Sequence, residues 1–295
     1  MNIIGLGQCG CNIAQYFEQY SQYNIFYINT EKVESKEYLF PEQEYYVNEE
    51  KVNIGKTLLL PEQKSHEEYE NNCPSLSKFL KKIKGDVLFF LGGSGAISGV
   101  TLQILEQINN CDIVVGYIRP DVELLSEGKA VQDRVVYNIL QEYARSGAIK
   151  EILLFSNFQL EDIIPNVTIL NRFERINEII TSSAHMINVF NNTKPILSTG
   201  TEFSQIARIS TIGSYDLEGD IENLYFPLDN VREKCYYYAI PKKQLEKDTE
   251  LLKTITEKSK EKSENGNIKV SYSIHSSEYD HAYCYVLAKS SQIQK

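Results

Sequence analysis

The sequence predicts an α/β protein built on a parallel sheet and continued by a smaller α/β unit. Three observations carry this. Over the first two-thirds of the chain, short continuous runs of Val, Ile, Leu and Phe alternate with stretches of helical periodicity. Strands apolar on both faces belong to a parallel sheet covered by helices on either side. Two glycine-rich loops each follow such a run and precede a helix, where α/β proteins bind their ligands. Beyond residue 195 the strand-like runs change character and become rich in Tyr.

The elements follow in order. Residues 2–5 (NIIG) are a strand that enters the loop GLGQCG, and 11–20 continues as a helix. NIFYIN, 24–29, is a second strand, and the acidic stretch 31–51 reads as a solvated loop. DVLFFL, 86–91, is a buried strand followed by GGSGAISG and a helix over 100–109. DIVVGYI, 112–118, is another, followed by RPDVELLSEG and a helix through 143, and 149–156 closes the series. Leu170, Phe173, Ile176, Ile179, Ile180, Met186, Ile187 and Phe190 recur at helical spacing, so one long helix connects the two parts and ends before Pro195. In the remainder, 233–240, 269–274 and 281–288 read as strands, with a helix at 243–264. The expected limits are 1–169 for the first domain, 170–194 for the connecting helix and 195–295 for the second domain.

Composition narrows the function. With 42% hydrophobic and 24% charged residues in 295, wholesale disorder is excluded. Thirty basic against forty acidic residues give a net charge of −10, which argues against direct nucleic-acid binding, since that needs clustered Lys and Arg. The six Cys are scattered without a C-x-x-C pair, so neither a disulfide scaffold nor a zinc site is expected. Met1 runs straight into a strand, without a signal peptide, and no apolar run reaches the roughly 18 residues of a membrane helix. A cytoplasmic protein with no membrane contact is expected. The twenty Tyr and the absence of Trp carry no functional signal at this level.

The chemistry lies in the loops. Gly5, Gly7 and Gly10 match G-x-G-x-x-G between strand and helix, where glycines let backbone N–H groups approach a phosphate and the helix N-terminus adds positive potential. Alone, this suits a dinucleotide, with Glu31 on a ribose hydroxyl. The second loop, Gly92 to Gly99, points instead to a polyphosphate wrapped from two sides.

GLGQCGCN resembles the first nucleotide loop of the tubulin/FtsZ superfamily. Asn29-Thr30-Glu31 is similar to the loop after its second strand, and Ile54-Gly55-Lys56-Thr57-Leu58 to the segment leading to its third. Gly92-Gly93-Ser94-Gly95 resembles the start of the GGGTGSG signature, and Arg119-Pro120 with Glu127-Gly128-Lys129 the ribose loop. These matches appear in the family's order. The resemblance implies a Rossmann-like GTPase domain, a central helix and a smaller activation domain. It places Gly7, Gln8, Cys9, Gly10, Gly92, Gly93, Ser94 and Gly95 on the phosphates, with Asn29 and Glu31 beside them. Glu127 and Lys129 fall on the ribose side. Asn12, Asn157 and Asn177 would offer amides to the base, Glu178 would accept from guanine N1–H and its 2-amino group, and Phe173 would stack.

The chain also departs from the pattern. The second half of the signature reads Ala96-Ile97-Ser98-Gly99, and LLLPEQKSHEEYE replaces the third loop. After the central helix, Glu202 falls on the first catalytic acid and Gln205 on the second, with Asp216 or Asp220 as alternative acids. The resemblance implies GTP or GDP with Mg²⁺, head-to-tail self-assembly, and kinship with the phage and plasmid branch (TubZ and PhuZ type) that positions DNA, here through a separate DNA-binding adaptor. Two alternatives stay open: a filament protein that binds GTP without hydrolysing it, and an NAD(P)-dependent oxidoreductase using Gly5, Gly7, Gly10 and Glu31.

Overall fold

The structure, a computed structural model, describes residues 1–33, 55–165, 167–200 and 203–295. The chain divides into two compact units, Met1–Tyr137 and Asn138–Lys295, so the division falls earlier in the sequence than the expected limit at 169.

The first unit runs β1 (Asn2–Leu6), α1 (Gly7–Tyr16), β2 (Asn24–Asn29), β3 (Lys56–Leu59), α2 (His66–Asn71), α3 (Ser77–Leu80), β4 (Asp86–Leu91), α4 (Thr101–Gln107) and β5 (Asp112–Arg119). The helix α5 (Glu127–Ser146) begins in this unit. Among the described residues its ladders are all parallel, in the order β3-β2-β1-β4-β5. The chain steps outward from β1 through β2 to β3, then returns to the other side of β1 for β4 and β5. The order therefore reverses between β1 and β4, and a crevice opens outside the carboxyl ends of those two strands. Asn2 ties their starts together, its Nδ2 donating to the carbonyls of Lys84 (2.8 Å) and Asp86 (3.1 Å). On the helix side Phe17 packs on Phe90 and edge-on against Tyr23, with centroids 5.7 and 5.1 Å apart.

The second unit runs β6 (Glu151–Ser156), α6 (Asn157–Ile163), α7 (Arg172–Asn192), β7 (Leu197–Ser198), β8 (Ile209–Asp216), β9 (Ile221–Leu224), β10 (Val231–Pro241), α8 (Lys242–Lys247), α9 (Leu251–Gly266), β11 (Lys269–Ser277) and β12 (Tyr283–Ser290). Its strand order is β6-β8-β12-β10-β11-β7, with β9 antiparallel beside β8. The sheet is mixed: β6–β8 and β10–β11 are parallel, the other pairs antiparallel. Phe190 near the end of α7 stacks on Tyr237 at 5.6 Å.

The sequence did not mark β3, α2, α3, α6 or β7 as elements, and two further differences have a visible physical cause. The helix expected at 243–264 is two helices. Asp248 breaks it by accepting the Glu250 N–H on Oδ1 at 3.1 Å, a local bond that competes with helix. The chain after 196 also contains β8 and β9, which the apolar pattern did not reveal. Inside β8, Ser210 and Thr211 are fully buried, and their hydroxyls donate to the carbonyls of Ile152 (3.0 Å) and Leu154 (2.8 Å) on β6. A polar residue inside is tolerated when its hydrogen bond is made.

Several buried phenols are satisfied in the same way, by carboxylates. Tyr27 donates to Glu18 (2.7 Å), Tyr215 to Asp220 (2.6 Å) and Tyr236 to Glu222. Burial and the adjoining carboxylates push the Tyr215 and Tyr236 phenols well up, so they act as neutral donors. Among the described residues no helix is long and apolar enough to cross a membrane.

The second unit also contains a nearly buried ion pair, Lys289–Glu151, with side chains 7% and 14% exposed. Glu151 accepts from Ser210 as well. Lys289→Met leaves a carboxylate buried without its cation and is expected to destabilise by about 3–5 kcal/mol. Lys289→Met combined with Glu151→Gln should recover most of that loss. Urea denaturation of the three proteins measures both, and an uncompensated double mutant would contradict the pairing.

Candidate functional site

The carboxyl ends of β1 and β4 carry the two glycine loops. No open loop separates β1 from α1. Leu6 is extended (φ −110°, ψ 127°) and Gly7, at φ 65°, turns the chain directly into the helix, which starts four residues before the expected position. Gly7 adopts a left-handed conformation that glycine allows without a Cβ penalty. A Cβ at Gly5 would lie 2.5 Å from the Gly10 carbonyl oxygen, and one at Gly10 would lie 2.1 Å from that of Phe90 on β4. The motif glycines thus serve a turn and a direct seat of α1 on the sheet, and the seated helix turns its N-terminal N–H groups toward the crevice.

The second loop adjoins the first: a Cβ on Gly92 would approach Cys9 Sγ to 3.6 Å. Gly93 has no room either, since its Cβ would fall 2.0 Å from the Tyr117 hydroxyl. That hydroxyl donates to Asp133 Oδ1 at 2.6 Å, and the Arg119 guanidinium lies 4.0 Å from Asp133 Oδ2 and 4.4 Å from the Tyr137 ring centroid. Burial pushes the Asp133 carboxyl up, while Tyr117 and Arg119 draw it back down. Gly95 is different, with nothing within 4 Å of its Cβ position.

The expected residues of this unit gather at the carboxyl ends of its strands. Gln8 is exposed and donates to Asn12 Oδ1 at 2.9 Å. Asn29 is buried at the end of β2, and Glu31 is exposed just beyond it. Ser94 is half-buried, and Glu127 and Lys129 are exposed in the first turn of α5, which follows β5. Desolvation pushes the thiols of Cys9 and Cys11 up to about 12. Cys11 donates to the Gly5 carbonyl at 3.3 Å, so these thiols pack rather than react. Among the described residues no group of three His, Cys, Asp or Glu could hold a metal ion.

The second unit holds the residues expected on the base. Asn157 opens α6 directly after β6, behind Ser156, whose hydroxyl accepts the Gln159 N–H at 3.3 Å. Arg172 pairs with Glu161 at 2.7 Å and so joins the start of α7 to α6. Phe173 is 60% exposed, which removes it from the core stripe that its spacing suggested. One turn on, Asn177 is buried, and Glu178 pairs with Arg175 at 2.8 Å. Asn157, Phe173, Asn177 and Glu178 do not line a cavity of about 790 Å³ in this unit, which lies among Ile164, Arg175, Ile179, Tyr215, Tyr225 and Tyr283.

Glu202 lies outside the described residues. Gln205 is exposed, and its carbonyl accepts from Arg208 Nε at 2.6 Å. The residues next to Glu202 are held firmly: Ser204 N–H donates to both oxygens of buried Glu233 (3.0 and 3.1 Å), and Lys289 Nζ sits 4.4 Å from the Phe203 ring centroid. The alternative acids maintain the β8–β9 turn instead. Asp216 Oδ1 accepts the Glu218 N–H at 3.0 Å. Asp220 accepts from Tyr215 and pairs with Lys262 at 3.0 Å, contacts that hold its carboxyl below the usual range. Two groups at the second glycine loop went unnoticed in the sequence, Gln132 and the Tyr117–Asp133 pair, because neither belongs to a motif.

Two expectations follow. Gly93→Ala should destabilise by about 1–3 kcal/mol or prevent folding, because the new methyl overlaps the Tyr117 hydroxyl. Gly95→Ala, at an ordinary φ of −86° in open space, should instead stabilise by about 0.4–1 kcal/mol. Equal effects in urea denaturation would contradict the geometry. Cys9 should also resist iodoacetamide in the native protein at pH 8, since its thiol stays protonated until the pH nears about 12. Mapping of alkylated peptides by mass spectrometry checks this.

No protein-family model matches the sequence, and no curated protein matches it. Solved structures do. A GTPγS-form protofilament of TubZ from Bacillus thuringiensis serovar israelensis superposes with a TM-score of 0.69 at 15% identity, over 98% of this chain and 86% of that one. A TubZ of type III plasmid segregation gives 0.68 at 15% identity, over 99% and 88%. An empty FtsZ dimer from M. jannaschii gives 0.65 at 13% identity, over 99% and 88%. Likeness at such identities is one of architecture: the chain has the tubulin/FtsZ-type α/β fold, common to TubZ and FtsZ.

Proposed function

We propose that this chain binds a guanine nucleotide and assembles head-to-tail into filaments, hydrolysing GTP as it does so. The carrying observation is the pair of glycine loops at the point where the strand order reverses, seated so closely that a Cβ at Gly5, Gly10 or Gly93 would strike its neighbours. A polyphosphate suits such a place, because backbone N–H groups and the α1 N-terminus can approach it without side chains intervening. TubZ structures of this fold include GTPγS-form and GDP-form protofilaments and two- and four-stranded filaments, which supports both the nucleotide and the assembly.

In this reading residues 1–169 form the nucleotide domain, 170–194 the connecting helix and 195–295 the activation domain. Gly7, Gln8, Cys9, Gly10 and Gly92 to Gly95 face the phosphates, and Glu127 accepts from the ribose. Asn12, Asn157 and Asn177 offer amides to the base. Glu178 accepts the guanine N1–H and 2-amino hydrogens, a donor pair that adenine lacks. The exposed Phe173 ring stacks. Mg²⁺ would come with the nucleotide, since it is commonly held by substrate phosphates rather than by an all-protein cage. It would supply positive charge to the phosphates.

The two ends of such a subunit differ, so each contact leaves a free end and the assembly propagates. The segment after α7 then brings Glu202 of one subunit to the nucleotide of the next, where a carboxylate orients the attacking water. Gln205 occupies the second acid position, and an amide cannot take a proton. That observation favours a second reading, in which the filament binds GTP and hydrolyses little or none. The oxidoreductase alternative has the first glycine loop and Glu31 in its favour and makes no use of the second loop. For the cellular role, the net charge of −10 and the likeness to a TubZ of plasmid segregation favour a cytoplasmic filament that positions DNA through a separate adaptor.

Pelleting and electron microscopy with GTP, GDP and ATP in parallel test this. Filaments are expected with GTP and not with ATP, and phosphate release should begin only above a threshold protein concentration. A release rate linear in protein from nanomolar upward would overturn assembly-dependent hydrolysis. Filaments without phosphate release, unchanged by Glu202→Ala, would favour the second reading.

A further inference from the structure

The second glycine loop departs from the GGGTGSG signature in its second half, from Ala96 onward, yet its backbone is held. The holding groups come from outside the loop's own glycine pattern. Gln132 Nε2, on the second turn of α5, lies 3.2 Å from the Gly93 carbonyl oxygen and 2.7 Å from that of Gly95. Ser98 adds its hydroxyl to the Gly93 carbonyl at 3.0 Å and its N–H to the Gly95 carbonyl at 2.9 Å. Its two nearest partners are carbonyls, with the Ser98 hydroxyl oxygen farther off at 3.4 Å, so its NH₂ end must face the loop and its two hydrogens match the two carbonyl acceptors.

The consequence follows from peptide geometry. In a trans peptide the C=O and the following N–H point to opposite sides, and the described chain contains no cis bond. Drawing the carbonyls of Gly93 and Gly95 toward α5 therefore turns the N–H groups of Ser94 and Ala96 away from it. Two N–H groups so directed form a concavity suited to an anion. Gly95, with open space around its Cβ position, gives the loop freedom to turn a peptide over. A turned peptide would present a carbonyl oxygen where a phosphate oxygen is to sit.

We infer that Gln132 is a positioning residue for phosphate binding: it locks the Gly93–Gly95 peptides with their N–H groups outward and replaces the residues the signature loop lacks. The inference rests on the guanine-nucleotide reading of this site. Gln132 does not itself touch the nucleotide; it acts through the loop. The role is specific to a donor amide, because a carboxylate at the same place would meet two carbonyl oxygens.

The test uses the full chain and titrates GTP, GDP and guanosine into wild type, Gln132→Ala and Gln132→Glu, with thermal unfolding as a control for folding. Gln132→Ala should weaken GTP and GDP by about tenfold while guanosine, which lacks phosphates, binds as in wild type. Gln132→Glu should be weaker still at pH 7.5, and should recover relative to wild type as the pH falls and its carboxyl regains a proton to donate. A merely structural role would lower the unfolding temperature and weaken all three ligands alike, which would overturn the inference. Equal GTP affinity in Gln132→Ala and wild type would overturn it too and leave the nucleotide reading standing. If wild type binds no GTP, the nucleotide reading fails and this inference falls with it. Hydrogen exchange at residues 94–96 in the nucleotide-free protein supplies a second readout: faster exchange in Gln132→Ala supports the tether, and unchanged exchange overturns it.

Discussion

Gly10 lies so close to the carbonyl of Phe90 that a single methyl group could not be placed between them. This backbone-on-backbone seat fixes the height of α1 above the sheet. Gly5 continues it, because its own Cβ would strike the Gly10 carbonyl. With the helix so low, Cys11 is fully buried against the Gly5 carbonyl, and Phe17 reaches Phe90 two turns on. The first turn of α1 then meets the second glycine loop, where Gly92 adjoins Cys9. The crevice at the strand reversal is thus shaped by the absence of side chains. Any residue with a Cβ at position 10 would lift the helix and separate the two loops.

What glycine does on the β1 side, hydrogen-bonded polar groups do on the β4 side. Gly93 is pressed against the Tyr117–Asp133 pair, and its carbonyl is taken by Ser98 and Gln132. The same chemistry recurs elsewhere. In each unit phenols enter the interior with a carboxylate to accept their proton, as in Tyr27–Glu18 and Tyr215–Asp220. A chain with twenty Tyr and no Trp has many such hydroxyls to satisfy, since a buried Tyr usually pairs its O–H. Part of its acidic surplus is therefore internal structure, a use of Tyr that composition alone did not suggest.

The legible part of the fold was the part whose cause is local. Strands β1, β2, β4 and β5 are continuous apolar runs, and the glycine motif marks a strand-to-helix turn wherever it occurs. Strand β8 was not legible, because Ser210 and Thr211 look like loop residues until the carbonyls of β6, more than fifty positions away, take their hydroxyls. The helix break at Asp248 depends on one side-chain bond that competes evenly with helix. At the site, Phe173 matched the apolar period of α7 but is turned outward at the helix's first turn, where the core has not yet begun. Gln132 carried no signal at all, since its nearest partners are backbone oxygens 37 and 39 residues distant.

The segment after α7 raises the sharpest question about chemistry. Residues 203–208 form no ladder, so their backbone groups must find partners elsewhere if they are to hold one position. They find buried charge: both oxygens of Glu233 take the Ser204 N–H, and Arg208 binds the carbonyls of Gln205, Ile149 and Lys150. Phe203 lies beneath the ammonium of Lys289, itself neutralised by Glu151. So many charged tethers on so short a stretch exceed what a passive connection needs, since a solvated loop could leave its N–H groups to water. On the proposed reading, Glu202 is the one remaining acid of a pair whose other member is Gln205. A lone carboxylate must orient water by position, without help from a second. Phe203 meets Lys289 and Ser204 is bound by Glu233, so the chain that follows this acid in sequence is anchored by two charged groups.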